Sequence, residues 1–526
     1  MAARPAPLVA AAFVALVVAA GGCVGPDGER RVPLPGQLAS VDSDRERGYA
    51  FDLELRKHLP QIEDLLVLEF VAELGQRLVD DLGDQPFDYR FRVIPDPSLN
   101  AFAVPGGFIY FHSGTILSAN SVEELAGVLA HELGHVKGRH SARMARDAAI
   151  PGLLTTLVGV AATAATGEAA PMIAAQAANV AIQLQYSRQY EDEADRMAVD
   201  FLARSKFRSE GLVRFFERIQ LEQRRLPPGQ IPPYLFSHPQ VESRIGVVRQ
   251  LAEEFPAGAP PEPALEERFR AIQQQLAWLV RQRRATAPAD PNFDRAVADP
   301  LLASAARLRE AGRTDDALAA LDRAERTSSE DPRVPFRRAE LLEAQGRLPE
   351  AIAAYRRAVH LDPHQTATLL ALGRAHRAAG QRREALFFLE QASYRAGPKG
   401  RARVQIDAEI ERLTFPIVLE SGFATGEATR DRDVLLGSHE THQPAGTTRL
   451  AWWARLGPHW RDRATHFRVR WIDGSGEPSA AERPDRTHGH LIASKRLRAE
   501  RDPGPWTVEL LFGDDVVHRE TLSAAD

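Results

Sequence analysis

The chain has little cysteine. Cys23 is the only one among 526 residues, so no internal disulfide can form. It also lacks a strong charge excess, because the formal net charge is −5 at pH 7 and no block of basic residues occurs. That balance gives no indication of a nucleic-acid partner or of an anionic membrane surface as partner. Hydrophobic residues make up 44% of the chain, close to the globular average, and the length is enough for about three or four domains.

Long apolar runs are scarce as well. The run at residues 8–20 is too short to favour a lasting transmembrane span, and two glycines and Cys23 follow it. We therefore predict a secretory signal peptide at residues 1–22. The position of Cys23 resembles a bacterial lipobox, which implies a lipidated cysteine and, with Val24 behind it, sorting to the outer membrane. The alternative is an ordinary signal peptide and a soluble periplasmic protein. Residues 23–45, rich in Pro, Gly and charge, are predicted to be the tether.

The pattern His131-Glu132-Leu133-Gly134-His135 lies in a segment with apolar residues at helical intervals, and Ser121 and Glu124 ahead of it have capping-box spacing. Two residues four apart on a helix leave the same face, so both imidazoles can bind one tetrahedral Zn²⁺ while Glu132 points to the adjacent side. Zinc lowers the pKa of its bound water, and a carboxylate beside it can take the proton as the water attacks an amide carbonyl. The motif predicts hydrolysis of peptide bonds.

A zinc site of this kind needs a third protein ligand, and there are two candidates. His140 follows His135 by five residues, which on a continuing helix turns it away from the metal, so a capping or surface role is predicted for His140. Glu191 lies on a second amphipathic helix, with Asp195 one turn later on the same flank, where Asp195 could accept the ring N–H of a ligating histidine. Periodicity alone does not choose between Glu191 and Glu193.

Three motifs in this order resemble metallopeptidase family forty-eight, over about residues 45 to 250, and in particular its periplasmic, BepA-like branch. The motifs are HELGH, Glu191-x-x-Ala194-Asp195, and Ser237-His238-Pro239 followed by Arg244. The resemblance implies a mainly α-helical, zincin-type domain of the gluzincin kind with a small β-sheet. It also implies one zinc ion held by His131, His135 and Glu191, catalysis by Glu132, and a place in the active-site wall for His238 and Arg244.

Two functions remain open for His238. It could donate a hydrogen bond to the oxyanion of the tetrahedral intermediate, or it could occupy the open zinc position and hold the enzyme latent, which the BepA-like branch favours. Upstream, two short strand patterns flank Pro105-Gly106-Gly107 and predict a hairpin. In the resembled family the first strand is an edge strand along which an extended substrate pairs. Here that strand comprises Asn100, Ala101, Phe102 and Ala103, and a plain structural hairpin is the alternative.

A second apolar stretch, residues 150–181, contains almost no charge. Gly167-Glu168 and Pro171 interrupt it, so no single piece is long enough to cross a bilayer as a continuous helix. We predict helical hairpin material that packs on the catalytic helices. A flap over the cleft or a surface for an unfolded client is the alternative.

The rest of the chain divides by composition. The zinc metallopeptidase domain is predicted at 46–255 and a helical linker at 256–297. At 298–400, glycines and alanines recur every 34 residues, which is the tetratricopeptide period of an α-solenoid. Such repeats form a concave surface for a peptide or partner protein, and a purely structural brace is the alternative. Residues 413–526 hold five of the six tryptophans and alternating strand patterns, which predict a small β-sandwich with the tryptophans in its core.

The sequence as a whole predicts a multidomain zinc endopeptidase on the periplasmic face of the bacterial outer membrane that degrades outer-membrane proteins or helps to assemble them. The expected partners are unfolded or misassembled envelope proteins as substrates, the outer-membrane assembly machinery through the repeats, and the membrane through the lipid anchor. Nucleic acid is not expected. The competing hypothesis is a periplasmic chaperone or assembly scaffold with a latent protease site.

Overall fold

The computed structural model describes most of residues 40–523 and, ahead of them, the paired two-residue strands β1 (Cys23–Val24) and β2 (Arg30–Arg31). Within 40–523 it leaves out residues 81, 84, 148–185, 228–230, 256–257, 283–294, 398–400, 426–434, 437, 442–448, 474, 477, 488–489, 498–504 and 513–514. The predicted signal peptide, the side chain of Cys23, residues 25–29 and 32–39 of the predicted tether and the apolar stretch 150–181 lie outside the described residues. The end of the predicted tether, from Val41 onward, is helical. The described residues from 40 to 410 form one compact unit, and those from 411 onward, with β1 and β2, form a second.

The first unit contains a three-stranded sheet in the order β3-β5-β4. Strand β3 (Arg90–Ile94) runs parallel to β5 (Phe108–His112), and β4 (Ala101–Val104) pairs antiparallel with β5 at the edge. A 3₁₀ turn at Pro105–Gly107 joins β4 to β5, and both of its glycines have positive φ values of 83° and 98°, which glycine adopts without steric cost. The predicted hairpin is therefore present.

Helices pack against this sheet. Helix α4 (Val122–Lys137), which carries the HELGH motif, is buried along nearly its whole length. The Ser121 side chain caps its start by accepting a hydrogen bond from the Glu124 N–H, as the capping-box spacing predicts. The helices of this part of the unit are α1 (Val41–His58), α2 (Leu65–Asp80), α3 (Ser113–Ser118), α4 (Val122–Lys137), α5 (His140–Asp147), α6 (Arg188–Arg204), α7 (Glu210–Arg225), α8 (Pro233–Ser237), α9 (Val241–Glu254) and α10 (Pro263–Gln282).

Two glycines let α4 approach its neighbours closely. A Cβ at Gly134 would lie 2.9 Å from the carbonyl oxygen of Ala194 in α6, and a Cβ at Gly127 would lie 2.6 Å from the backbone nitrogen of Leu212 in α7. Because glycine has no side chain, α6 can approach α4 closely at Gly134 and place its acidic first turn beside the HELGH motif. Helix α10, inside the segment predicted as a linker, packs Phe269 into the same core, where its ring stacks on Phe70 of α2 at 5.8 Å.

Three helix pairs with the predicted tetratricopeptide period follow. The turns between the paired helices contain Gly312, Gly346 and Gly380, all with φ between 71° and 75°. The buried alanines at equivalent positions allow the helices to pack closely. The pairs are α11 (Arg295–Glu310) with α12 (Thr314–Thr327), α13 (Arg333–Ala344) with α14 (Leu348–Leu361), and α15 (Thr366–Ala378) with α16 (Arg382–Arg395), and α17 (Arg401–Thr414) comes next.

A buried cluster of charges joins the third repeat to the sheet. The Glu390 carboxylate in α16 lies 3.0 Å from Arg90 and 2.8 Å from Arg92, both of which belong to β3. Asp52 of α1 contacts Arg92 at 3.0 Å and also pairs with Arg56. All five side chains are at most 5% exposed. The repeats and the sheet are therefore connected through charges that water does not reach.

The second unit consists mainly of two antiparallel sheets, in the orders β6-β7-β10-β9 and β12-β11-β8. Phe423 of one sheet and Trp471 of the other contact each other with ring centroids 6.5 Å apart. All five tryptophans of this unit are buried, which agrees with the prediction of a small β-sandwich with a tryptophan-rich core. The strands are β6 (Val418–Thr425), β7 (Arg449–Leu456), β8 (Phe467–Ile472), β9 (Asp485–Thr487), β10 (His490–Arg496), β11 (Trp506–Phe512) and β12 (Asp515–Leu522).

Among the helices that the structure describes, we find none with the length and apolar character needed to cross a bilayer.

Candidate metal centre

Helices α4 and α6 bring the three predicted zinc ligands together. The Nε2 atoms of His131 and His135 are 3.0 Å apart. Glu191, in the first turn of α6, has one carboxylate oxygen 3.3 Å from His135 Nε2 and the other 3.5 Å from His131 Nε2. Glu193 lies elsewhere and forms an ion pair with Arg143 at 2.8 Å. The structure thus brings Glu191, and not Glu193, to the two histidines.

His238, the residue that follows α8, adds a fourth donor. Its Nδ1 lies 3.1 Å from Glu191 and 3.3 Å from His131 Nε2, and its ring stacks on Tyr234 at 4.5 Å. One ligand atom from each of these four residues, His131, His135, Glu191 and His238, lies within 4.8 Å of the others, and all four residues are buried.

The donor atoms fit a tetrahedral zinc ion. Ligands at about 2.1 Å from a tetrahedral centre lie about 3.4 Å from one another. The individual separations given above, from 3.0 to 3.5 Å, are close to that value when each histidine is measured to its nearer Glu191 oxygen. Three imidazoles and one carboxylate are also donor types that zinc accepts. Beside them, both carboxylate oxygens of Glu132 are buried and have no hydrogen-bond partner among the described residues, although His238 Nε2 lies 3.4 Å from one of them.

Asp195 and Arg244 contact the candidate ligands His131 and Glu191. An Asp195 oxygen lies 2.9 Å from His131 Nδ1. Arg244 donates two hydrogen bonds of 2.7 Å to Asp195 and reaches Glu191 at 2.5 Å, while its guanidinium lies 4.4 Å from the centre of the Phe216 ring. This planar, two-sided contact fixes both carboxylates relative to His131, a geometry that lysine could not reproduce.

Burial and neighbouring charges shift the pKa values at the site. Burial alone would raise the pKa of Glu191, but the Arg244 cation and the adjacent histidines lower it well below its usual value. Burial also raises the pKa of Glu132, which makes its carboxylate a stronger base than an exposed one. Burial and Arg244 act to lower the pKa of His131, but its hydrogen bonds to Asp195 and Glu191 outweigh them and raise it to about 9.

The surface role predicted for His140 is wrong. Helix α4 ends at Lys137, and Arg139 adopts a left-handed conformation with φ of 52°, so the chain turns back instead of continuing as a helix. The His140 ring is consequently buried, with its Nδ1 2.9 Å from Nδ1 of His135. It lies outside the four-donor group, and burial lowers its pKa to about 4.

The predicted substrate strand lies at the sheet edge. Strand β4 carries Ala101, Phe102 and Ala103, packs against α4, and pairs with β5 alone among the described strands, so its outer edge has no strand partner there. Asn100 precedes it, held by a 2.8 Å hydrogen bond from its N–H to the Thr115 hydroxyl.

Two tyrosines that the sequence analysis did not single out contact the site. Tyr186 stacks on His135 at 3.9 Å, and Tyr234 stacks on His238. Tyr234 precedes His238 by four residues, so helical spacing could have indicated it. Tyr186 lies ahead of the acidic helix and no pattern marks it.

Comparison with known proteins agrees with this geometry. The profile of peptidase family M48 matches residues 69–252, and two tetratricopeptide-repeat profiles match residues 302–366 and 342–403. A relative from Vibrio cholerae is 35% identical over 42% of this chain and 47% of its own length. The beta-barrel assembly-enhancing protease of Escherichia coli is 30% identical over 42% of this chain and 46% of its own length. This chain therefore spans about half the length of these relatives.

The metalloprotease YcaL of Escherichia coli is similar over most of its own length, with 31% identity over 34% of this chain and 67% of that protein. Together with the family profile, this coverage establishes that the chain belongs to peptidase family M48.

Proposed function

We propose that this protein is a zinc-dependent endopeptidase that acts on unfolded or misassembled proteins of the bacterial envelope, above all those of the outer membrane. The observation that carries the proposal is the convergence of four donor atoms beside the buried carboxylate of Glu132. The names of the relatives, a metalloprotease and a beta-barrel assembly-enhancing protease, support the same activity and substrate class.

Different residues would carry out the separate steps of peptide-bond hydrolysis. His131, His135 and Glu191 would hold the ion, which when bound polarises the scissile carbonyl and makes water more acidic. Glu132 accepts a proton from the attacking water and delivers it to the leaving amine. Asp195 accepts the Nδ1–H of His131, which leaves the Nε2 lone pair directed toward the ion. The open edge of β4 holds an extended substrate through backbone hydrogen bonds.

We infer that His238 keeps the site latent. Its Nδ1 lies 3.1 Å from Glu191 and 3.3 Å from His131 Nε2, so it would occupy the fourth position that a catalytic zinc site leaves open for water. The closed donor set also suits the competing hypothesis, a chaperone or assembly scaffold that rarely uses its protease site. Catalysis would require this histidine to move away.

Cleavage of an unstructured protein such as casein tests the enzymatic proposal. Glu132→Gln should abolish cleavage while retaining one zinc ion per chain, and it should spare any chaperone effect. His238→Ala should raise turnover if the histidine is a latent-state ligand, and a fall in turnover would point instead to an oxyanion role. A wild-type chain without zinc, or a Glu132→Gln variant as active as wild type, would refute the proposal.

We further propose that Cys23 is lipidated and tethers the protein to the periplasmic face of the outer membrane, with soluble periplasmic protein as the alternative. The repeats would then recruit clients or the assembly machinery of outer-membrane proteins. Mass measurement of mature protein isolated from membranes tests the anchor, because diacylglycerol and an amide-linked acyl chain on Cys23 would add a fixed mass that Cys23→Ser removes.

A further inference from the structure

His140 has a buried contact that the proposed mechanism leaves unused. The ring of His135 directs Nε2 toward His131 and Glu191 and directs its other nitrogen, Nδ1, at 2.9 Å toward Nδ1 of His140. Both imidazoles are at most 2% exposed, so water does not replace this contact.

The chemistry of the two rings fixes their tautomers once an ion is bound. His135 must offer the lone pair of Nε2 to the ion, so its proton resides on Nδ1 and is donated toward His140. His140 must then accept at Nδ1, which places its own proton on Nε2. That proton lies on the side of Glu193, whose carboxylate is 3.5 Å from His140 Nε2, although the described residues give this nitrogen no hydrogen bond.

Glu193, the last group in this series of contacts, is itself held in place. Arg143 donates to both oxygens of Glu193, at 2.9 and 2.8 Å, and its guanidinium lies 4.8 Å from the centre of the Tyr190 ring. Tyr190 in turn stacks on His140 with a centroid distance of 4.9 Å. The His140 ring therefore packs on the Tyr190 face, and the ion pair of Arg143 and Glu193 lies beside its Nε2 edge.

The backbone makes space for this ring. A Cβ at Gly138 would lie 2.3 Å from His140 Nε2, although the φ of Gly138, −70°, is one that any residue adopts. Gly138 is thus required by the room that the ring needs and not by its own conformation. Together with the left-handed Arg139, it allows His140 to fold back beneath His135.

We propose that His140 is a positioning residue for the metal ligand His135, which it holds through the 2.9 Å contact between the two Nδ1 atoms. It does for His135 what Asp195 does for His131. The inference rests on the proposed zinc site. Its consequence is measurable as zinc affinity, since loss of such a supporting hydrogen bond weakens metal binding by about 10- to 100-fold.

The test compares two nearly isosteric replacements in the full chain. His140→Asn keeps an acceptor close to the position of Nδ1, whereas His140→Leu removes it. Zinc dissociation constants are measured by competition with a chromophoric chelator, and thermal unfolding of the metal-free proteins reports on packing. We expect His140→Leu to bind zinc about 10- to 100-fold more weakly than wild type. His140→Asn should recover most of that loss, with the two metal-free variants unfolding at similar temperatures.

A second pair of variants leaves His140 itself intact. Gly138→Ala should displace the ring and weaken zinc binding in the same direction as His140→Leu. Gly246→Ala, at an open position in α9 with no atom within 4 Å of the added methyl group, should not.

Three outcomes would overturn the inference: equal zinc affinity in His140→Leu and wild type, equal losses in the Asn and Leu variants, or equal effects of the two glycine substitutions. Each leaves the proposed function standing, because wild type still binds zinc. Absence of zinc from the wild type would instead refute the proposed function, and this inference with it.

Discussion

Neutralising Glu390 should separate the repeats from the peptidase sheet more effectively than any surface change. The Glu390→Gln variant keeps the side-chain shape but removes the charge that faces Arg90 and Arg92 at 3.0 and 2.8 Å. Arg56 also lies 3.7 Å from it. Asp52 would remain as the carboxylate partner of Arg56 and Arg92.

The size of the effect follows from burial. Glu390 is 2% exposed, and removing one member of a buried ion pair costs about 3–5 kcal/mol because the remaining charge stays desolvated. Asp80→Asn is the matched control. Asp80 of α2 pairs at 2.9 Å with Arg383, which lies in α16 as Glu390 does, but both side chains of this pair are more than half exposed. An exposed pair of that kind contributes about 0.2–1 kcal/mol.

Hydrogen exchange read by mass spectrometry measures the difference directly. In Glu390→Gln, amides of β3 and α16 should exchange about a hundredfold faster or more, because each 1.4 kcal/mol lost from the opening free energy raises the open population about tenfold. Asp80→Asn should change these rates by less than about tenfold. Equal exchange rates in the two variants would refute the claim that the buried cluster holds the repeats in place.

Two further predictions concern stability. Burial is the main cause that raises the pKa of Glu69 from 4.5 to about 7, so the folded state holds this proton more tightly than the unfolded chain does. The free energy of unfolding should therefore fall by up to about 3 kcal/mol as pH rises from 4.5 to about 7. Glu69→Gln should flatten the pH profile of the thermal midpoint over this range, and a profile like that of the wild type would contradict the prediction. Gly127→Ala should lower the free energy of unfolding in urea by about 1–3 kcal/mol, because its methyl group would meet the Leu212 backbone at 2.6 Å, and a neutral effect would mean that α7 can move aside.

Helical periodicity predicted much of the site because most of it lies on helices. The spacing of His131 and His135 is a property of one helix, and so is the spacing of Glu191 and Asp195. The choice between Glu191 and Glu193 depends on how α6 is rotated against α4. That rotation is set where Gly134 meets Ala194, a contact that no local pattern encodes.

His140 and Glu390 show where local patterns fail. The surface role predicted for His140 assumed that α4 continues, and a single left-handed residue, Arg139, ends that continuation. Glu390 occupies a polar position in an ordinary repeat helix, and it becomes buried only because α16 docks on strands almost three hundred residues earlier in the chain. The tryptophans of the second unit were easier to predict, because large apolar side chains in alternating strands have few alternatives to a core.

A series of buried contacts connects the proposed substrate strand β4 to the third repeat. Phe102 in β4 stacks on Tyr110 of β5 at 4.9 Å, and the Tyr110 hydroxyl donates a 2.9 Å hydrogen bond to Asp52. Asp52 contacts Arg92, which contacts Glu390 of the third repeat. Every group on this path is buried, so moving one leaves a polar or charged neighbour without its partner. A peptidase domain cut off before the repeats would keep Arg92 but lose Glu390, so the buried path that ends at Phe102 would lose its contact on the repeat side.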